Sequence, residues 1–420
     1  MKTTAFLGLL LPLAAAVSYD GYKAFHIDSH DDFDAVESAL ADLGYVSLDC
    51  ESNHRTFDVA ISPENLEAFH ALGLDAKIVA EDVGAELTAA TGEMKPYSAS
   101  RKFAGRADLP DIGYFDSYHT FEEHLQFLED VQAAFPDNSE IFTAGDSLEG
   151  RPIQGIHVWG SGGPSTHPAI IWQANVHARE WITGVTVEYM LYKLIQGYQN
   201  GDAVPLSTLN NFDFYVMPIV NPDGFVYTNT DRLWRKNRQS RQGASCRGTD
   251  LNRNWPHQWN IDGGASTNPC SDSYRGEAPG DSPEMAVLSN WTATIGQTTG
   301  IKLFVDWHAY SQLILLPYSY SCTAEAETIE EQMDLAGGVA SAIRGVNGLN
   351  FVYGPTCQVI YQASGSSLDF AFDVAGAELS WAFELRPGSN AGNGFVIPPS
   401  NIVPSGEENW AGMEYLFSTF

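Results

Sequence analysis

From position 114 to the C-terminus, segments with helical spacing of apolar residues alternate with short strand-like runs, and this alternation constrains the fold more than any other feature. Apolar residues recurring every three to four positions predict helices over 125–134, 183–196, 285–294 and 333–347, with a further one starting at Pro404. Short runs dense in β-branched and aromatic residues predict strands over 153–159, 169–174, 212–220, 301–307 and 377–385. Helices interleaved with buried strands imply an α/β fold, a mixed, mostly parallel sheet with helices on both faces. Ligands in such sheets bind beyond the carboxyl ends of the strands.

The preceding segment follows a different order. A strand over 22–27 leads to an amphipathic helix over 31–43, carrying Phe33, Val36, Leu40 and Leu43. Strands over 45–49 and 56–61 come next, then a helix opened by Pro63 with Leu66, Phe69 and Leu72 on one side, and a strand over 75–79. The order β-α-β-β-α-β describes a ferredoxin-like α+β sandwich. No catalytic constellation occurs in it. A chain of 420 residues exceeds the usual size of one hydrophobic core, so two folding units are expected.

Between 89 and 111 the sequence becomes small, polar and basic, with Lys95, Arg101, Lys102 and Arg106 among Gly, Ser and Pro. Against a net charge of −31, an exposed basic connector reads as a processing site, with a plain linker as the alternative. The same charge excludes nucleic acid, whose phosphates would be repelled. At the N-terminus, Met1-Lys2, an apolar run over 5–13 and Ala14-Ala15-Ala16 form a signal peptide. The run is well short of the ~20 residues a membrane span needs. The expected destination is secreted and extracellular, with vacuolar delivery as the alternative. In an oxidising compartment the five cysteines allow two bridges. Cys246 and Cys270 enclose a Gly/Ser/Asn-rich stretch, Cys322 and Cys357 flank a helical segment, and Cys50 is left over. Asn290-Trp291-Thr292 is a glycosylation sequon.

Chemistry concentrates at the predicted strand ends. His177 and Glu180, in Asn-Val-His-Ala-Arg-Glu-Trp, follow the strand over 169–174 and can converge on one metal ion. Zinc accepts both donor types, and a catalytic site takes three protein ligands plus a water. His-x-x-Glu alone recurs by chance, so a third ligand is required. His308 ends the strand over 301–307 and would share the same rim of the sheet. Glu384 lies in the apolar run Trp-Ala-Phe-Glu-Leu, where a carboxylate needs a partner or a task. A salt bridge to an arginine is one reading; a general base beside a metal-bound water is the other. Arginines and amides cluster in 231–238 and 250–255, and the second cluster suits carboxylate binding.

Through these residues the chain resembles the carboxypeptidase A/B family of zinc metallocarboxypeptidases, and looks most like its secreted fungal members. The resemblance rests on His-Ala-Arg-Glu-Trp, Leu-Trp-Arg-Lys-Asn-Arg, Asp-Leu-Asn-Arg-Asn-Trp, His-Ala-Tyr-Ser-Gln, Ile-Tyr-Gln-Ala-Ser-Gly and Phe-Glu-Leu-Arg, in family order. It implies one Zn2+ held by His177, Glu180 and His308, with Asp250 orienting the His177 imidazole. Glu384 is then the general base and Arg235 stabilises the oxyanion. Asn252, Arg253 and Tyr361 bind the terminal carboxylate, assisted by Arg179, and Tyr310 lines the substrate site. Cys246–Cys270 and Cys322–Cys357 match disulfides of the family.

The implied organisation is a signal peptide over 1–17, a pro-segment over 18–106, and a zinc carboxypeptidase domain over 107–420. Peptide C-termini are the expected substrates, an activating protease at the connector the expected partner, and a monomer the expected state. Leu368 falls at the floor of the pocket for the last residue and favours apolar side chains, an A-type preference; broader or basic specificity is the alternative. Two departures stand out: Ala309 where serine is common, and Asp306, which would compromise an apolar pocket if its carboxylate points inward. A catalytically silent peptide-binding relative would lack the base or a ligand, and all four are present. No G-x-S-x-G elbow supports a serine hydrolase.

Overall fold

The computed structural model describes residues 16–30, 33–48, 56–91, 97, 108–389 and 394–420. Most of the signal peptide, Cys50 and the four basic residues of the connector lie outside the described residues.

The N-terminal unit contains β1 (Lys23–Asp28), β2 (Val46–Ser47), β3 (Thr56–Ile61) and β4 (Asp75–Ala80), in the order β2-β3-β1-β4 with every pairing antiparallel. Helices Phe33–Leu43 and Leu66–Ala71 cover one face, and strands and helices run in the order β-α-β-β-α-β. The strand period of two explains how the sheet is used. Phe25 and Ile27 of β1 enter a core with Leu40, Phe57 and Phe69, whereas Ala24, with Ala60 and Ala80, packs into the core of the larger unit. The small side chains on that face let the two units approach closely. Helix Val83–Thr91 was not foreseen, because its Gly, Ala and Thr residues carry little apolar periodicity.

The larger unit is built on eight strands in the order β11-β10-β12-β9-β7-β8-β6-β5. They are β5 (Ser139–Asp146), β6 (Pro152–Val158), β7 (Ala169–Ala174), β8 (Asp213–Met217), β9 (Ile301–Ser311), β10 (Leu313–Leu316), β11 (Val352–Pro355) and β12 (Leu379–Gly388). The central run β12-β9-β7-β8 is parallel throughout; β6, β5 and the β10–β12 pairing are antiparallel. Along β7, Ile170, Trp172 and Ala174 enter one core while Ala169 and Ile171 enter the other, so both faces of the strand are buried. Helices Trp181–Asn200, Ile329–Asn347 and Ile402–Phe417 lie on the first side, and Pro283–Thr298 and Ser367–Asp373 on the second.

Cys246–Cys270 and Cys322–Cys357 are both disulfide-bonded. Asn290 of the sequon is exposed on helix Pro283–Thr298. Among the described residues no helix is long and apolar enough to cross a membrane.

Candidate active site

The parallel strands deliver the chemical groups to one rim. β7 ends at Ala174, and Asn175 turns the chain with φ of 56°, a left-handed conformation that asparagine tolerates better than most residues. The turn is locked internally: Asn175 Nδ2 donates to the Glu180 carbonyl at 3.1 Å and Thr183 Oγ1 donates to the same oxygen at 2.8 Å. Val176 and Ala178 are buried, leaving His177 and Glu180 to project together as helix Trp181–Asn200 begins.

His308 lies on β9, and Glu384 on β12 is its direct parallel-register partner. His177 Nδ1 is 2.8 Å from Glu180 Oε1 and 3.1 Å from His308 Nδ1, while His308 Nδ1 is 3.4 Å from Glu180 Oε2. The three side chains are buried, and one donor atom from each lies within 4.8 Å of the other two. On its far side His177 Nε2 faces Asp250 Oδ1 at 3.2 Å. That contact puts the ring proton on Nε2 and leaves the Nδ1 lone pair pointing at the shared centre. Two imidazole nitrogens facing each other across 3.1 Å, with a carboxylate between them, fit a divalent cation of zinc's ligand preference.

Electrostatics reinforce this grouping. Burial alone would push the Glu180 carboxyl up, but the His177 and His308 imidazoles outweigh it and hold the group below the usual carboxylate range. Asp250 is likewise held well below, because Arg235 and His177 overcome the cost of its burial. Arg235 reaches Asp250 Oδ2 through Nη2 at 2.8 Å and Nε at 3.2 Å. At Glu384 burial wins, raised further by Glu180 against the opposing His308 and Arg235 charges, and the carboxyl is pushed up to about 8.

The residues expected around a substrate divide into two groups. Asn252 Oδ1 accepts from the Ser367 amide at 2.8 Å, which turns its NH2 end towards His308 Nε2 at 3.3 Å, and Arg253 Nη2 donates to the Tyr361 hydroxyl at 3.1 Å. Gly365 has φ of +64°, and a Cβ there would meet the Arg253 carbonyl at 2.5 Å, so this close approach requires glycine. Leu368 is buried in an apolar cluster with Leu315 and Ala382. Arg179 and Tyr310 instead engage the N-terminal unit: Arg179 Nη1 donates to the Ser47 carbonyl at 2.9 Å and the Tyr310 hydroxyl to the Leu48 carbonyl at 3.0 Å. A cavity of about 800 Å³ lies between the units, lined among others by Val46, Ser47, Arg235, Asp272 and Tyr361. Ser367, Asp272 and Phe395, the ring under the Arg179 guanidinium at 3.9 Å, were not singled out from sequence. They carry no motif of their own and are recruited by tertiary contact.

A cation-ready trio at the carboxyl ends of parallel strands, beside a buried carboxylate and a guanidinium, defines a metal-dependent hydrolase. Comparison with known proteins gives the class its name. The zinc carboxypeptidase family profile matches residues 124–412. Metallocarboxypeptidase A of Trichophyton rubrum is 42% identical, covering 98% of this chain and 97% of that protein. Carboxypeptidase A2 of Rattus norvegicus is 38% identical, over 81% of this chain and 78% of that one. Among solved structures, carboxypeptidase A from Helicoverpa armigera superposes with a TM-score of 0.79 at 27% identity, covering 95% of this chain and 97% of its own. Thrombin activatable fibrinolysis inhibitor reaches 0.81 at 25% identity, covering 96% and 99%. The chain belongs to the zinc carboxypeptidase family. It is a metallocarboxypeptidase of the A type, acting on peptides with zinc as its metal.

Proposed function

We propose that this chain is the secreted precursor of an enzyme that removes apolar residues one at a time from peptide C-termini. His177, Glu180 and His308 are the zinc ligands in this reading, and the observation that carries it is the 3.1 Å approach of the two histidine Nδ1 atoms beside Glu180. Zinc, when bound, supplies Lewis acidity and lowers the pKa of its water towards ~7.

Glu384 takes the proton from the attacking water and later delivers it to the leaving amine. A carboxylate that burial pushes upward is suited to both halves of that task. Arg235, preorganised by its two bonds to Asp250, faces the developing oxyanion, where one such donor is worth ~3–4 kcal/mol. The Asn252 amide and Arg253, with Tyr361 alongside, pair with the free terminal carboxylate, which makes the enzyme an exopeptidase. The Leu368 floor receives the last side chain, and burying an apolar one there contributes ~1.5–3 kcal/mol.

Residues 18–106 act as a pro-segment: Ser47 and Leu48 take up Arg179 and Tyr310 until a protease cuts at Arg101, Lys102 or Arg106. Residues 1–17 direct export, and the mature domain from 107 works as a monomer. The test is a panel of N-blocked dipeptides ending in Phe, Leu, Lys or Glu, assayed on cleaved and uncleaved chain with zinc quantified. Cleavage of Phe and Leu by the cut form, lost on chelation, is expected. Turnover restricted to Lys would overturn the apolar preference, and equal activity before and after cleavage would overturn the precursor role.

A further inference from the structure

Asp306 precedes His308 by two positions on β9, so both side chains emerge on the same face of the strand. It is fully buried, between Gln173 on β7 and Ala382 on β12. A carboxylate in such a place is costly unless it has a partner or a task. Asp306 Oδ2 lies 3.2 Å from His308 Nε2 and accepts from the Ser367 hydroxyl at 2.5 Å, while Oδ1 has no hydrogen-bond partner among the described residues. The arrangement repeats what Asp250 does at His177, where Nε2 meets a carboxylate oxygen at 3.2 Å and Nδ1 faces the shared centre.

A rival acceptor for the His308 ring proton is ruled out by geometry. Asn252 Nδ2 is 3.3 Å from His308 Nε2, but Asn252 Oδ1 is committed to the Ser367 amide, so the end facing the imidazole is a donor. Two N–H donors cannot bond each other. The Nε2 proton therefore goes to Asp306.

We propose that Asp306 is the positioning residue of the third zinc ligand: it fixes the His308 ring with Nδ1 towards the metal, and Ser367 holds the carboxylate in place. This rests on His308 being a ligand. It also joins the metal to the specificity pocket, because Ser367 is the immediate neighbour of Leu368 at the pocket floor. With its carboxylate turned to His308 and Ser367, Asp306 is compatible with an apolar pocket.

The experiment uses the full chain as wild type, Asp306→Asn, Asp306→Ala and Ser367→Ala. Zinc affinity is measured by competition with a chromophoric chelator, and the melting temperature of each metal-free form is recorded beside it. Wild type binding one zinc per chain is the baseline, and its failure to do so would remove the ligand assignment itself, separately from the role of Asp306. Both Asp306 variants should bind zinc about 10- to 100-fold more weakly, as loss of a partner behind a ligand histidine does. The near-isosteric Asp306→Asn should do so with its metal-free melting temperature unchanged, and Ser367→Ala should show a smaller loss in the same direction. Cobalt substituted for zinc should give a shifted visible spectrum in Asp306→Asn. Wild-type zinc affinity in Asp306→Asn, or weakening only in step with metal-free stability, would overturn the proposal; should Asp306→Ala not fold, Asp306→Asn decides.

Discussion

The Tyr310 hydroxyl donates to the Leu48 carbonyl at 3.0 Å, tying a wall of the active site to the chain just after β2. Beside it, Arg179 is held by the carbonyl of Ser47. Both acceptors are backbone atoms, so no side-chain exchange at 47 or 48 removes them, whereas Tyr310→Phe deletes one bond outright. A hydrogen bond of this kind is worth about 1 kcal/mol net, close to a fivefold change in an equilibrium. The ratio of uncleaved to cleaved activity on an N-blocked dipeptide should therefore rise about fivefold in Tyr310→Phe. Taking the ratio cancels any effect of Tyr310 on turnover, and an unchanged ratio would show that this contact does not hold the N-terminal unit.

Glu384 sits beside the His177–Glu180–His308 cluster without being one of the trio. Glu384→Gln keeps the shape and removes the proposed base. Turnover should fall by about 10²- to 10⁴-fold, the range for loss of a general acid–base group, with zinc content unchanged. Loss of zinc in step with activity would instead make Glu384 a ligand.

The long elements were legible because burial on both faces leaves a dense apolar signature, as in β7 and in helix Trp181–Asn200. β5, β10 and β11 escaped: β5 is a half-exposed edge strand with no dense apolar run, and β10 and β11 are four residues long, too short for a period to be counted. Helix Pro222–Tyr227 likewise offers less than two turns of pattern. His177, Glu180, His308 and Glu384 drew notice for another reason, since each lies within a contiguous motif; β9 runs on to Ser311 and β12 to Gly388, so His308 and Glu384 lie within their strands rather than at the ends expected. What could not be read was contact across the chain. Ser367 reaches Asp306 over 61 positions and Arg179 reaches the Ser47 backbone over 132, and neither pairing leaves a trace in local sequence. Asp306 drew notice only as an odd residue near the pocket; its direction is a property of the assembled sheet.

The pocket floor offers a specificity test. Leu368→Asp places a carboxylate among Leu315, Ala382, Leu313, Val359 and Ile360. A buried charge there repels apolar terminal residues and attracts a lysine that can pair with it. The ratio of kcat/KM for Phe-terminal to Lys-terminal substrate should fall at least ~10-fold, the equivalent of about 1.4 kcal/mol. Equal losses on both substrates would mean that Leu368 does not face the terminal side chain.

The bridge between Cys246 and Cys270 encloses Asp250, which meets His177 Nε2 at 3.2 Å, and Asn252 and Arg253, the proposed carboxylate clamp. Closing a loop of this length is worth about 3–4 kcal/mol in the chain-entropy view. The Cys246→Ser, Cys270→Ser double variant should lose stability of that order in urea unfolding. Its remaining folded fraction should also turn over more slowly at saturating substrate, because the loop carries the His177 partner. A stability loss with unaltered kcat would confine the bridge to a structural role.

Asp369 carries a pH dependence whose sign is fixed by burial. It lies within helix Ser367–Asp373, fully buried, and accepts from the Ser319 and Tyr320 amides at 3.0 and 3.1 Å and from the Ser319 hydroxyl. Burial outweighs these donors and pushes its carboxyl from 3.8 up to about 6. The folded chain therefore holds this proton more tightly than the unfolded chain does. The associated stability is complete below about pH 4 and is lost as pH rises through about 6, a difference of about 3 kcal/mol. Other carboxylates titrate in the same window, so the comparison is with Asp369→Asn, which retains a carbonyl acceptor but has no proton to lose. Urea unfolding of the metal-free proteins between pH 4 and pH 7 should give the wild type a steeper fall in stability than the variant. Parallel curves across that window would mean that Asp369 is ionised throughout and that the amide donors, not burial, control it.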